Sequence, residues 1–254
     1  MRGDAHGGAR RHDLVFARVR EALASGGCPV CRLVTHAVQR FLDNFLYERV
    51  NDPEMREEVR ASWGFCPHHA WALPAQRNPV LGVAIVYRDL VGTLRERLDD
   101  VLRSRTRRRR DTEAAVHLAL RPAAPCPACL HRQRMEEVYV ASLLEHSADP
   151  EVRQALAGPA PLCLPHLIVA ASVARSAEQL TRLLEDQRQA LARLEADLSE
   201  LVRKHDYRFR HEGLTPEQGV SWTRALEVLS GRDPNEVRAA PDVRPRPTRS
   251  PTRP

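Results

Sequence analysis

The feature that most constrains the fold of this 254-residue chain is a pattern of cysteine and histidine that occurs twice. In the first copy, a Cys-Pro-x-Cys pair is followed 35 residues later by a Cys-x-x-His pair. The second copy contains the same two pairs with a separation of 34 residues, and the two copies together use all six cysteines. In a reducing compartment, cysteines paired at short spacing indicate metal or redox chemistry more than disulfide bonds.

Three thiolates and one imidazole are a common ligand set for a four-coordinate structural zinc ion. Two ligands three residues apart, on a turn or in the first turn of a helix, can both face one ion. We therefore expect two zinc ions per chain, one held within each copy. The predicted ligands are Cys28, Cys31, Cys66 and His69 in the first copy, and Cys126, Cys129, Cys163 and His166 in the second.

Three other interpretations of the cysteines stay open. An iron–sulfur cluster is the main alternative, because such clusters are held by thiolates and tolerate histidine. A redox dithiol of the thioredoxin-like kind also carries Cys-Pro-x-Cys at a helix start, but no strand-helix-strand pattern surrounds either pair here. Buried structural thiols that bind no metal are the third.

A second match between the copies supports an internal repeat. The segment Asn51-Asp52-Pro53-Glu54 corresponds to Ala148-Asp149-Pro150-Glu151 at an offset of 97 residues. In each copy the aspartate is expected to cap a helix whose first residue is proline. The offset also selects between two adjacent histidines: the position of His68 is Pro165 in the second copy, so His69 is the predicted ligand.

Hydrophobic periodicity predicts helices along almost the whole chain. Apolar residues recur every three or four positions over residues 34–46 and again over residues 80–101, which places them on one face of a helix. No convincing run of alternating apolar and polar residues indicates strands.

Two helices are predicted near the C-terminal side. Leucines from Leu180 to Leu201 keep heptad spacing, with Gln187 at the one polar position of the seam. A capping box that begins at Thr215, with Pro216 at the first helical position, starts a last helix, and Gly231 ends it. We predict an all-α fold of two tandem helical repeats, each clamped by a Cys3His metal site, with a long heptad-patterned helix near the C-terminus.

The amino-acid composition indicates that some segments of the chain lie outside the two repeats. Six arginines lie between residues 103 and 110, and the tail from Pro241 is rich in proline and arginine, so the net charge of +6 is concentrated there and the remaining chain is mildly acidic. The predicted organisation is a disordered N-terminus (1–11), a first metal-binding repeat (12–103), an arginine-rich linker (104–111), a second metal-binding repeat with the C-terminal helices (112–231) and a disordered tail (232–254).

The duplicated Cys-Pro-x-Cys, the Asp-Pro segment and Gly64-Phe65-Cys66-x-x-His69 together resemble a bacterial family of unknown function. The resemblance extends to the segment from Lys204 to Arg208 and covers most of residues 12–231. The second copy has Pro161-Leu162-Cys163 where the first has Gly64-Phe65-Cys66. The resemblance supports the domain and implies no particular reaction.

The residues favour a binding or scaffold module over an enzyme, since the chain has no glycine-rich phosphate loop, nucleophile elbow or placed acid–base pair. The helix Leu180 to Leu201 is a candidate surface for a protein partner. An iron–sulfur electron carrier or redox sensor is the alternative function. Nucleic-acid binding through the arginine-rich linker has weaker support, because no aromatic residues are interleaved with the arginines.

A cytoplasmic location is expected. The best apolar stretch, residues 79–94, is interrupted by Arg88 and Asp89 and is shorter than the roughly 20 residues that a bilayer requires. The N-terminus lacks the apolar segment of a secretory signal.

Overall fold

The computed structural model of the protein describes residues 5–103 and 109–232. These residues contain helices and no strand, so the predicted all-α class is confirmed for the part of the chain that is described. The α-helices are α1 (Ala5–Ala24), α2 (Pro29–Asn44), α3 (Pro53–Ala61), α4 (Pro67–Ala70), α5 (Pro79–Arg103), α6 (Arg109–Leu120), α7 (Pro127–Glu145), α8 (Pro150–Ala157), α9 (Leu164–Val173), α10 (Ala177–His205) and α11 (Pro216–Ser230). A π-helical turn, Phe45–Arg49, continues α2.

Local sequence signals set the starts of several helices as predicted. Asp52 caps α3, where its carboxylate accepts hydrogen bonds from the backbone N–H groups of Glu54 (3.0 Å) and Met55 (3.3 Å). Asp149 caps α8 in the same way and accepts from the N–H of Glu151 at 2.8 Å. Each cap satisfies backbone donors that have no partner within the helix. The capping box at Thr215 is present as well.

The order of helices is the same in the two halves. A long helix that begins at Cys-Pro-x-Cys is followed by a short Asp-Pro helix, a helix that begins at Cys-x-x-His and a second long helix, first as α2 to α5 and then as α7 to α10. The element boundaries differ from expectation at two places. Helix α1 begins at Ala5, inside the segment predicted to be disordered, and α6 begins at Arg109, inside the predicted linker. Residues 104–108 of the linker and residues 233–254 of the tail lie outside the described residues.

Helices α2 and α7 pack against each other at the centre of the fold. Phe41, near the end of α2, stacks on His131, near the start of α7, with ring centroids 4.7 Å apart. Tyr139, in the second half of α7, is buried and lines a surface groove together with Leu33 from the first half of α2. The two helices therefore run antiparallel. Helix α1 covers the pair from one side, with Val19 and Leu23 buried.

An ion pair connects the short and the second long helix of each half. Arg56 on α3 lies 3.1 Å from Asp89 on α5, and Arg153 on α8 lies 3.0 Å from Asp186 on α10. The two arginines are 97 residues apart, and so are the two aspartates. The same offset relates the two Asp-Pro segments. The two pairs therefore place the Asp-Pro helices in equivalent positions on the long helices.

The heptad-patterned helix α10 packs mainly within the chain. Leu183, Ala190 and Leu194 are buried against the neighbouring helices α7, α8 and α11, whereas Leu184 and Leu191 are exposed. Gln187 is also buried. Within the described residues, no helix is both long enough and apolar enough to cross a bilayer.

Candidate metal centres

The eight predicted ligands form two clusters, and each cluster draws on both halves of the chain. The first centre consists of Cys28, Cys31, Cys163 and His166, and the second of Cys66, His69, Cys126 and Cys129. Within each centre, one donor atom from every residue lies within 4.8 Å of the others. The expectation that each copy closes its own site is therefore wrong, because every Cys-Pro-x-Cys pair meets the Cys-x-x-His pair of the other half.

The physical reason is the antiparallel arrangement of α2 and α7. Helix α9 packs along α7 of its own half, where His166 lies beside Glu136. Glu136 is ten residues beyond Cys126, which corresponds to about 15 Å along a helix axis at the usual rise of about 1.5 Å per residue. The Cys-x-x-His pair of α9 is thus displaced from the start of its own long helix. The start of the antiparallel helix α2 reaches that position instead.

Each half-site is the beginning of a helix. Cys28, Cys66, Cys126 and Cys163 are the N-cap residues of α2, α4, α7 and α9, and proline occupies one of the first two helical positions in every case. The second ligand of each pair follows three residues later, in the first turn. Two helix N-termini consequently point into each centre, and the positive end of the helix dipole stabilises thiolates there.

All four ligands of the first centre are buried. The Nδ1 atom of His166 lies 3.1 Å from the sulfur of Cys163 and 3.4 Å from those of Cys28 and Cys31. The sulfurs of Cys31 and Cys163 are 3.5 Å apart. The four donors thus surround a single point, as the ligands of one ion must.

The second centre has the same donors but is more open. The Nδ1 atom of His69 lies 3.3 Å from the sulfur of Cys66, 3.6 Å from that of Cys126 and 3.4 Å from that of Cys129. The sulfurs of Cys66 and Cys129 are 3.6 Å apart, and both of these residues are partly exposed. The neighbouring His68 is exposed, and its ring meets that of His69 edge-on at 5.0 Å.

The two histidines have opposite electrostatic environments. Burial lowers the pKa of His69 to about 4, helped by the nearby charges of His68 and Arg132, so this ring is neutral and able to bind a metal at pH 7. Burial opposes protonation of His166 too, but hydrogen bonds to Cys163 and Cys31 and the nearby carboxylate of Glu136 outweigh it and raise the pKa of this imidazole to about 11. A metal at the first centre would therefore displace a proton from His166.

The pKa values of three of the thiols are also shifted from the ordinary value of a cysteine. Burial raises the pKa of Cys129 to about 12, with contributions from Cys66 and Cys126. Burial raises the pKa of Cys28 as well, whereas hydrogen bonds from Cys163 and Cys28 lower the pKa of Cys31. A coordinated dication deprotonates a thiol outright, which removes the cost of burying several thiolates together.

Three surrounding groups that the sequence analysis missed complete the first centre. The Nε2 atom of His166 is buried without a well-aligned hydrogen-bond partner, and the nearest carboxylate oxygen, that of Glu136, lies 3.4 Å away. Metal-bound histidines usually donate their other N–H group to such a carboxylate. On the opposite side, the backbone N–H of Arg232 donates to the sulfur of Cys31 at 3.5 Å, and a side chain at Gly231 would contact the sulfurs of both Cys31 and Cys163.

Among the residues that the structure describes, the second centre has no equivalent of Glu136. At the offset of 98 residues that relates the two Cys-Pro-x-Cys pairs, the position of Glu136 corresponds to the buried Val38. Among the described residues, no carboxylate forms an ion pair with His69. The repeat therefore could not have revealed Glu136, since the matching position is apolar.

A cavity of about 360 Å³ lies between the two centres, with the end of α11 as one wall. Polar side chains from α2 and α7 line it, among them Thr35, Gln39, Arg132 and Glu136. Arg132 donates to Glu136 at 2.8 Å. Ligands of both centres form part of the wall, so the two sites share one cavity.

Comparison with known proteins places the chain in a family. A family described as "Family of unknown function (DUF6062)" matches residues 11–236, which is most of the sequence. The chain belongs to this family. The expected resemblance to a bacterial family of unknown function is thereby confirmed. A relative, the "uncharacterized 23.9 kDa protein in xynA 3'region" of Caldicellulosiruptor sp. (strain Rt8B.4), is 27% identical over 205 residues, which cover 80% of this chain and 95% of the relative. No solved structure matches the chain.

Proposed function

We propose that this protein is a cytoplasmic, non-enzymatic scaffold or binding module in which two structural zinc ions tie the two halves together. The observation that carries the proposal is the convergence of three sulfurs and one imidazole nitrogen at each of two points. At each point, one half of the chain supplies two cysteines and the other half supplies a cysteine and a histidine. The first ion would close a loop of 132 residues between Cys31 and Cys163, and the second a loop of 57 residues between His69 and Cys126.

The chemistry of the donors supports zinc. Zinc favours tetrahedral sites made of Cys and His, and Zn–S bonds of about 2.3 Å place neighbouring sulfurs about 3.8 Å apart. The sulfur–sulfur distances of 3.5 and 3.6 Å are close to that value. In an iron–sulfur cluster the four ligands are divided among two or four irons, so ligands on different irons lie farther apart. The compact geometry therefore favours one ion per centre over a cluster.

The structural role is supported by the position of the ligands in the fold. Every ligand belongs to a helix N-terminus, and each centre connects a helix of one half to a helix of the other. Structural zinc contributes roughly 10 kcal/mol of folding free energy in small zinc-finger peptides. A contribution of that kind would hold α4 and α9 in place across the α2–α7 pair.

A partner surface on α10 is part of the proposal. Leu184 and Leu191 belong to the heptad seam and stay exposed, although other seam residues are buried within the chain. A helix from a protein partner that presents apolar residues at heptad spacing would cover them. Nucleic-acid binding would need the arginine-rich linker, of which residues 104–108 lie outside the described part of the chain.

Metal content and the visible spectrum of protein purified without oxygen test the proposal. We expect two zinc ions per chain, no visible absorption, and a lower melting temperature after a strong chelator removes the zinc. Iron with acid-labile sulfide and a brown chromophore would overturn it in favour of an electron carrier or redox sensor. Unchanged melting after complete zinc removal would overturn the structural role alone.

A further inference from the structure

The two centres differ in how well their sulfurs are protected. All four ligands of the first centre are buried, and Cys163 is 0% exposed. In the second centre, Cys66 and Cys129 are partly exposed, and they are the two described ligands for which this is so. The sulfur-bearing residues of the second centre are therefore more accessible to solvent-borne reagents than those of the first centre.

The protection of the first centre has identifiable sources. Gly231 and the N–H of Arg232 lie over the sulfurs of Cys31 and Cys163, and Glu136 faces the outer nitrogen of His166. Groups of this kind orient ligands and retain the metal, and their loss typically weakens binding 10–100-fold. No carboxylate of the described residues pairs with His69 in this way, so this part of the second centre lacks one of the features that slow metal loss.

The two exposed sulfurs are also adjacent. Cys66 and Cys129 come from different halves of the chain, and their sulfurs are 3.6 Å apart. A thiol that is oxidised at one of them has a second thiolate within reach, which is the usual arrangement of a redox-sensitive cysteine and its resolving partner.

Resting on the proposed binding of zinc, we propose that the second centre is a peroxide-responsive site, in which Cys66 and Cys129 are oxidised to a disulfide and the zinc ion is released. One thiolate attacks an oxygen of hydrogen peroxide, the O–O bond breaks, hydroxide leaves and a sulfenic acid forms. The other thiolate then attacks that sulfur, the S–S bond forms and a second hydroxide leaves. The two thiolates supply two electrons, two protons from water or buffer convert the hydroxides to two water molecules, and the ion that has lost two ligands dissociates.

The consequence of zinc release would be local. The second centre holds α4, a helix of four residues that packs little against the other helices. A helix this short has no stability of its own. Loss of the ion frees α4 and the residues around it, whereas α9 at the first centre is ten residues long and packs against both α7 and α11. Peroxide is thereby converted into a change of conformation at one face of the protein.

Zinc release from the intact chain tests this inference. The zinc-loaded protein is treated with hydrogen peroxide, and released zinc is measured with a chromogenic chelator. We expect one equivalent to leave roughly tenfold faster than the other, and peptide mass spectrometry to find a Cys66–Cys129 disulfide. Hydrogen exchange should rise at residues 62–76 in step with the fast phase. Dithiothreitol and added zinc should restore the starting state.

Two matched variants assign the phases. C28S/C163S removes the first centre and should keep the fast release, whereas C66S/C129S removes the second and should lose it. Equal release rates for both ions, or a disulfide between Cys31 and Cys163 instead, would overturn the inference. If a variant fails to fold, the mass spectrum of the peroxide-treated wild-type protein still shows which two cysteines form the disulfide. A protein that contains no zinc before peroxide is added contradicts the proposed function itself, so the two failures are distinguishable.

Discussion

The sulfur of Cys31 lies 3.5 Å from the sulfur of Cys163, which is 132 residues further along the chain. Neither residue shares a centre with the other ligand pair of its own half. The two halves of the protein are therefore held together by exchange of their half-sites, and either half alone contains two incomplete centres.

Pairs of cysteine substitutions distinguish this crossed arrangement from a closed site in each half. C28S/C163S removes two ligands from one centre, so we expect one zinc ion per chain to remain. C28S/C66S removes one ligand from each centre and should reduce zinc binding at both. Metal analysis of the purified variants, with melting temperatures measured alongside, checks this. Sites closed within each half would give the opposite result, with one intact site surviving only in C28S/C66S.

Removal of the carboxylate beside His166 should weaken the first centre alone. We expect Glu136→Gln to lower zinc affinity there roughly 10–100-fold, because the imidazole loses the acceptor that orients it and increases its basicity. The measurement is competition with a chelator in the C66S/C129S background, where only the first centre binds zinc. Glu137→Gln, at the next position of α7 and exposed, is the matched control. An equal loss of affinity in the control would show that the effect is not specific to the contact with His166.

The ion pairs of Asp89 should make stability depend on pH. A hydrogen bond from Arg60 lowers the pKa of Asp89, burial opposes this, and Arg56 contributes in the same direction as Arg60. Because the folded-state pKa is lowered, the contribution is fully present above the unfolded-state pKa of about 3.9 and is lost as the pH falls through the folded-state value.

We expect Asp89→Asn to lower the free energy of unfolding by about 1 kcal/mol at pH 7. The difference from wild type should shrink as the pH falls below about 4. Urea denaturation at a series of pH values measures it, with the exposed Asp99→Asn on the same helix as the control. A difference that stayed constant down to pH 2 would mean that the charge of Asp89 is not responsible.

The buried amide of Gln187 should contribute more to the stability of the fold than its position in a heptad seam suggests. Gln187 donates to the carbonyl oxygen of Leu162 at 2.7 Å and accepts from the N–H of Leu162 at 3.1 Å, immediately before Cys163. Gln187→Leu leaves both backbone groups buried without partners, which should cost about 2 kcal/mol.

The same substitution should also speed zinc loss from the first centre, since the segment that carries Cys163 is no longer anchored. Denaturant unfolding and chelator-driven zinc release measure the two effects. Gln189→Leu, exposed on the same helix, should change neither. A stability loss with unaltered zinc release would separate the anchor from the metal centre.

Much of the local structure follows from short stretches of sequence. Asp52 before Pro53, Asp149 before Pro150 and the capping box at Thr215 each specify a helix start through contacts within four residues. The heptad spacing along α10 likewise specifies a long helix. It did not reveal which leucines are exposed, because burial of Leu183 and exposure of Leu184 depend on where α7, α8 and α11 lie.

The sequence by itself determined the all-α class and brought out eight residues with the donor chemistry of two metal centres, because ligand type and helix caps are local properties. Only the tertiary structure decided how the half-sites combine, since a spacing of 34 or 35 residues fits closure within a half as well as between halves. The antiparallel packing of α2 and α7 makes that choice. It also places Glu136 beside one histidine and the apolar Val38 at the matching position of the other half. Two centres with the same ligands therefore differ in burial, electrostatics and access to solvent.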